Sequence, residues 1–426
     1  MAATISSQDI NARIVAPVAA RGARLDSVDL LRGIVMVLMA LDHTRDFLTG
    51  IPFAPEDVAR TWPALFFTRW VTHFCAPWFC FLAGTGAYLA TSRGKSLGDM
   101  RSLLWKRGLF LILLECTVLM FAWTFLPYPL PIALVLWMLG WSMIALSAII
   151  KLPLKWIAAI GIALIALHNL ADPIQPAYFG HFAWLWNILH VQGLIAADPP
   201  RMLFGKIPLA LPVAYPLLPW PGVMAVGYSF GAVMRKPVAE RSRILMWLGT
   251  ACIVLFIVLR ATNFYGNPHE PAFTTNGDFH RQPGAAMTVV AFLDVQKYPP
   301  SLQFLLMTLG PGFFALAAFD KLRAGASGLK SGVARFFLVY GRVPMFYYSV
   351  HIFVVHALAI IIALLTHQPA RWLIGGPIIS QPPAGYGQGL PVIYVAWIIV
   401  VLLLYLPCRW YMGVKQRRND WWLSYL

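Results

Sequence analysis

Charge is the scarcest ingredient of this sequence. Asp, Glu, Lys and Arg together make up 12% of the chain, about half the share of an ordinary soluble domain. That deficit excludes a soluble globular reading. Acidic residues are scarcest, 17 against 33 Lys and Arg, which leaves a formal charge of +16. Such an excess can mark a nucleic-acid binder, but here the cations sit in short stretches between apolar runs. In a membrane protein that is a topology signal, and no nucleic-acid partner is expected. Cysteine is rare too. Cys75, Cys80, Cys116, Cys252 and Cys408 all lie within or beside apolar runs and give neither a disulfide framework nor a metal-ligand spacing, so no metal is expected. Residues 1–26 lack the apolar stretch of a cleavable signal peptide and read as a flexible cytoplasmic tail. No internal repeat and no inserted soluble domain is evident.

Hydrophobic residues are what the chain has in abundance, at 59% with a mean hydropathy of +0.68. A helix that crosses a bilayer needs about 20 apolar residues. Ten runs qualify, at 28–49, 66–91, 102–126, 131–150, 154–170, 217–235, 243–262, 301–319, 336–366 and 391–411. The expected fold is all-α, a polytopic bundle of about ten transmembrane helices filling residues 27–412. An eleventh, partial helix is expected near 182–196, where Trp184 and Trp186 resemble interfacial anchors. Residues 413–426 form the second tail. Every second connection is basic: Arg93, Lys95 and Arg101 in one, Lys151 and Lys155 in the next, Arg235 and Lys236 after that, then Lys321, Arg323 and Lys330. The alternate connections are longer, rich in Pro, Gly and aromatics, and nearly charge-balanced. Both termini are therefore expected in the cytoplasm of a multi-pass inner-membrane protein, with the lipid bilayer as its first partner.

Ionisable groups inside apolar spans default to functional candidates. The densest cluster lies in the first run: Asp29 and Arg32, then an apolar stretch, then Asp42-His43-Thr44-Arg45-Asp46. At about 1.5 Å per residue, His43 sits roughly 16 Å beyond Arg32 on one helix. Asp42 with Arg45, and His43 with Asp46, are spaced to meet on a helix surface. A carboxylate beside an imidazole fixes its tautomer and raises its basicity, which suits a general base. The bland alternative is a solvated helix end whose charges snorkel. His73 should lie near the depth of His43, followed by Pro77, which kinks its helix, and by Gly84 and Gly86, which favour close helix packing. Glu115 sits mid-span and must be protonated or paired. His351 and His356 lie in the ninth run, and Lys297 and Ser301 precede the eighth.

Several stretches are similar to the heparan-alpha-glucosaminide N-acetyltransferase catalytic domain and its bacterial relatives. They are Arg24 to Gly33 (RLDSVDLLRG), Ala76-Pro77-Trp78-Phe79 with Gly84, Tyr215 to Trp220 (YPLLPW), Lys297 to Leu302 (KYPPSL), and Gly341-Arg342-Val343-Pro344. The resemblance implies a membrane acyltransferase that takes an acetyl group from cytosolic acetyl-CoA and passes it to a glycan amine on the opposite side. A more distant likeness to bacterial membrane O-acyltransferases, which open with Arg-Gly followed by a catalytic histidine, points to His43. The likeness departs at one place. In the lysosomal enzyme an asparagine stands where His43 does and the catalytic histidine falls in the following loop, whereas residues 47–72 here contain no histidine. The role then moves to His43, oriented by Asp42 or Asp46, or to His73. On this reading Arg32, Arg107, Arg335 and Arg342 are candidates for the CoA phosphates. Arg45, Lys297, Ser301 and His351 are candidates for the acceptor, a sugar hydroxyl or amine. A homodimer fits the class. The competing reading is a proton-coupled transporter or flippase of a polar or lipid-linked solute.

Overall fold

The structure, a computed structural model, describes residues 25–126, 131–196, 202–203, 207–208, 210–269, 277–324, 331–376, 380–418 and 420–425. The N-terminal tail, up to residue 24, and Lys330 lie outside the described residues. All ten apolar runs are helical. In chain order the helices are α1 (Asp26–Leu48), α2 (Pro63–Thr91), α3 (Leu97–Thr124), α4 (Val135–Ile149), α5 (Leu154–Ala171) and α6 (Pro219–Met234). They continue with α7 (Val238–Thr262), α8 (Ala285–Leu293), α9 (Leu302–Ala324), α10 (Gly332–Arg342), α11 (Pro344–Leu365) and α12 (Leu390–Arg417). Among the described residues, α2, α3, α5, α7, α9, α11 and α12 are long and apolar enough to cross a membrane. The chain is a multi-pass membrane protein with almost no sheet.

The elements differ from the apolar runs in three places. The run 336–366 is two helices, α10 and α11, because the proline ring of Pro344 forces the residue before it out of the helical region; Val343 has φ −131° and ψ 48°. The partial helix expected near 182–196 is there but covers only Ala183–Leu189, and a strand follows it. That strand, Gly193–Ala196, pairs antiparallel with Ala210–Val213. The connection between α7 and α9 contains a further helix, α8.

α1 is the centre of the bundle. It packs against α2, α9, α10, α11 and α12 and is buried on nearly every face. Its closest neighbour is α10. A Cβ on Gly33 would lie 1.9 Å from the Phe337 carbonyl oxygen, and one on Gly341 would lie 1.8 Å from that of Asp29. The two glycines let the backbones touch, which is how small residues act at membrane helix crossings. This crossing joins the first and last stretches of the family resemblance. Arg32 Nη1 donates to Asp29 Oδ1 at 3.0 Å and to the Gly341 carbonyl at 3.3 Å, and Arg342 pairs with Asp26 at 3.1 Å. Gly84 serves a similar approach of α2 to α6, whereas a Cβ on Gly86 would meet nothing. Pro77 cannot donate to the carbonyl four residues back, and α2 tightens into a 3-10 turn over Val71–Phe74 just before it.

Candidate functional site

The C-terminal end of α1 is no solvated rim. Phe47 and Leu48 are fully enclosed, and the Tyr386 hydroxyl, from the loop before α12, donates to the Phe47 carbonyl at 2.5 Å. His43 therefore sits inside the molecule, its ring edge-on to Trp123 at 5.0 Å. Its Nδ1 lies 2.7 Å from Nε2 of His351 on α11. The second nitrogen of His351, Nδ1, faces two backbone carbonyls, Tyr348 at 2.7 Å and Tyr347 at 3.1 Å. Carbonyls only accept, so His351 Nδ1 carries the proton and its Nε2 presents a lone pair. His43 Nδ1–H donates to that lone pair. The remaining nitrogen of His43, Nε2, is then the unprotonated one, and His43 lines an open cavity.

The carboxylates expected to orient His43 are engaged elsewhere. Asp42 is paired with Arg69 and, at 3.0 Å, with Arg45; Arg45 also bonds Asp46 at 2.5 Å. Arg69 Nε reaches Glu56 at 2.7 Å, and His73 Nε2 contacts the same carboxylate at 3.3 Å. The result is a compact ion network beside the imidazole pair. Burial raises the Glu56 carboxyl, but Arg69 and then His73 outweigh it and hold the group well below the usual carboxylate range. Tyr298 completes the wall. Burial raises its phenol, yet Lys297 and Arg69 bring it below the usual tyrosine value. The Tyr215 and Tyr298 rings stand edge to face at 4.9 Å with their hydroxyls 3.4 Å apart, so two more of the resembling stretches meet here.

Two cavities lie along α1. The histidine cavity, about 530 Å³, is lined by Asp42, His43, Arg45, Asp46, Arg69, Tyr298 and aromatic neighbours. The arginine cavity, about 300 Å³, is lined by Arg32 and Arg107 at its polar part and otherwise by apolar side chains of α2, α3, α4 and α11. Tyr348 lines both. Leu134 and Val135 face the histidine cavity while Leu136 and Leu139 face the other, so the start of α4 forms part of the partition. Glu115, in a π-helical turn over Glu115–Leu119, holds that start in place by accepting from the Leu136 amide at 2.6 Å. Such turns recur at functional sites.

Of the residues singled out in the sequence, His43, Asp42, Arg45 and Asp46 line the histidine cavity, with His351 directly behind the imidazole. His73 is buried behind Glu56 and Arg69 and lines neither cavity. Ser301 caps α9, its hydroxyl accepting from the Phe304 amide at 3.1 Å. Lys297 lies over the Tyr298 ring, 5.1 Å from its centre. Arg32 and Arg107 line the arginine cavity; Arg342 is bound to Asp26 beside it, and Arg335 is exposed on α10. His356 bonds two backbone carbonyls, those of Ala122 and Leu373, and is structural. Sequence reasoning passed over Glu56, Arg69 and Tyr348. Arg69 carried a usable signal, a cation inside the apolar run Phe66-Phe67-Thr68-Arg69-Trp70.

Fold and site together define a multi-pass membrane protein with a partnered imidazole and an ion network on the wall of a cavity. The family model for the catalytic domain of heparan-alpha-glucosaminide N-acetyltransferase matches residues 24–263, more than half of the chain. This protein belongs to that family, and with it to the membrane acetyltransferases. No curated protein matches the chain. The stretches Lys297 to Leu302 and Gly341 to Pro344 lie beyond the matched residues, yet both pack against α1 or the cavity its end lines.

Proposed function

We propose that the protein carries an acetyl or other short acyl group from cytosolic acyl-CoA, admitted by the arginine cavity, to a sugar hydroxyl or amine held in the histidine cavity on the periplasmic side of the inner membrane. The observation that carries this reading is the hydrogen-bond chain from the Tyr348 carbonyl through His351 to His43. It leaves His43 Nε2 as a base without any charge having to be buried. Arg32 and Arg107 supply donors for phosphate oxygens, and the apolar lining beyond them suits the pantetheine arm.

In the transfer, the acceptor oxygen or nitrogen attacks the thioester carbonyl carbon while His43 Nε2 takes its proton. The new C–O or C–N bond forms, the C–S bond breaks, and the proton passes from His43 to the departing sulfur, giving free CoA thiol. The positive charge that His43 gains lies next to Asp42, whose carboxylate favours it. Asp46 and Arg45, on the cavity wall, and Trp372 and Tyr298 offer polar and aromatic contacts of the kind that hold a small polar acceptor. Removing a general base lowers rate by about 10²–10⁴-fold. Purified protein supplied with radiolabelled acetyl-CoA and a panel of amino sugars and glycans should label an acceptor, and His43→Ala should lose that activity. A His43→Ala protein with the wild-type rate would overturn the assignment.

A further inference from the structure

Tyr348 contributes to the walls of both cavities, and among the residues described around them it alone does so. Its backbone carbonyl is already committed, accepting from His351 Nδ1 at 2.7 Å. Its ring stands edge-on to His351, 5.6 Å between centres. The residue is 4% exposed, and its hydroxyl makes no hydrogen bond among the described residues while the side chain lines both cavities. The Tyr340 and Tyr386 hydroxyls donate to the Val401 and Phe47 carbonyls, and Tyr347 and Tyr411, whose hydroxyls are buried without a partner, line neither cavity. Its position is also set by the helix. Pro344 and Met345, in the first turn of α11, line the arginine cavity; Tyr348 comes one turn later at the junction, and His351 one turn after that.

On the reading proposed above, the thioester must come to rest where the two cavities meet, since the CoA arm fills one and the acceptor the other. We infer that the Tyr348 hydroxyl is a catalytic residue there, donating a hydrogen bond to the thioester carbonyl oxygen as it becomes an oxyanion. When the acceptor adds to the carbonyl carbon, the C=O electron pair moves onto oxygen. The Tyr348 O–H stabilises that charge without giving up its proton. When the C–S bond breaks, the pair returns and the sulfur receives the proton held by His43. A donor already in place in a site sheltered from water is worth far more than the same group in solution. One residue thus serves both halves of the reaction, its carbonyl setting the tautomer of the base and its hydroxyl receiving the developing charge.

The test is Tyr348→Phe, which deletes one oxygen and keeps the ring at the junction. Acetyl transfer is followed with radiolabelled acetyl-CoA, and binding by the thermal stabilisation that CoA confers. Loss of a single oxyanion donor costs about 10²–10³-fold in kcat. The expected result is a kcat lower by that factor with the KM for acetyl-CoA and the CoA stabilisation unchanged. A wild-type kcat overturns the inference, and so does a variant that loses CoA stabilisation, since the residue would then only shape the passage. A wild-type protein that shows no acetyl-CoA-dependent transfer instead overturns the proposed function itself.

Discussion

Replacing His351 with alanine leaves the Nδ1 proton of His43 without its acceptor, and the imidazole is then free to take the other tautomer or turn away. His351→Ala is expected to lower kcat by about 10²-fold or more, within the range for a general base, while the KM for acyl-CoA stays put because the residue lies away from the arginine cavity. A variant with wild-type kcat would mean that His43 needs no orientation. Glu56 makes a separate prediction about stability. Its carboxyl titrates lower in the folded chain than in the unfolded one, held down by Arg69 and His73 against the effect of burial. The pairing therefore contributes fully above the ordinary glutamate value of about 4.3 and is lost as pH falls through the depressed folded value. Melting temperature in detergent should fall below about pH 4.3, and Glu56→Gln should show a smaller fall from a lower starting point. Breaking one partner of a buried pair costs about 3–5 kcal/mol; Asp42 remains to Arg69, which places this variant at the lower end. His43 itself was readable from its place in a charged cluster one helix length from Arg32. Its true partner was not, because 308 residues separate it from His351 and only the packing of α11 on α1 brings the two rings together. The spacing of His43 and Asp46 pointed to a carboxylate, but Arg45 takes that carboxylate.

Helices were the easiest elements to read. Each apolar run is helical, one of them as two helices, because a chain that cannot hydrate its backbone in lipid must satisfy it within each segment. What escaped were elements too short for a length signal: α8, with nine residues, and the strand pair around Gly193–Ala196. The break at Val343 was written in the sequence as a residue before proline, yet hydropathy is blind to it. The glycines at the crossing of α1 and α10 turn that contact into a measurable quantity. Gly33→Ala and Gly341→Ala each drive a methyl group into a backbone carbonyl that cannot swing aside as a side chain would. Overpacking costs about 1–3 kcal/mol in ordinary cores, and these positions should reach or pass the upper end. Gly98→Ala, in the first turn of α3 where the nearest atom is Ser96 Oγ at 3.8 Å, should be neutral or slightly stabilising, since alanine favours the helix by about 1 kcal/mol. If detergent melting curves rank Gly98→Ala below Gly33→Ala, the close crossing does not hold the bundle together.

At the scale of the whole molecule the two cavities divide the labour by charge. The arginine cavity offers two cations and a long apolar wall, and the histidine cavity offers an ion network in which acids and bases offset one another. On the proposed function, a polyanionic donor such as acyl-CoA is drawn to one end only. Arg107 is the sharper probe of this, because Arg32 is already bound to Asp29 and Gly341, whereas Arg107 Nε is buried without a hydrogen-bond partner. A hydrogen bond to a charged group contributes about 1.5–3 kcal/mol, and tenfold in binding corresponds to about 1.4 kcal/mol. Arg107→Ala should then raise the KM for acetyl-CoA by about 10- to 150-fold with kcat nearly unchanged, the pattern of an interaction made equally in ground and transition states. Raising the ionic strength should weaken CoA binding to the wild type more than to this variant. Arg335 offers the contrast. It is also basic and near the same end of α1, but it stands exposed on α10 outside the cavity wall, so Arg335→Ala should leave the KM where it was. Should Arg335→Ala raise the KM while Arg107→Ala does not, the donor binds on the surface of α10, and the route between the cavities through Tyr348 is not the one the acyl group takes.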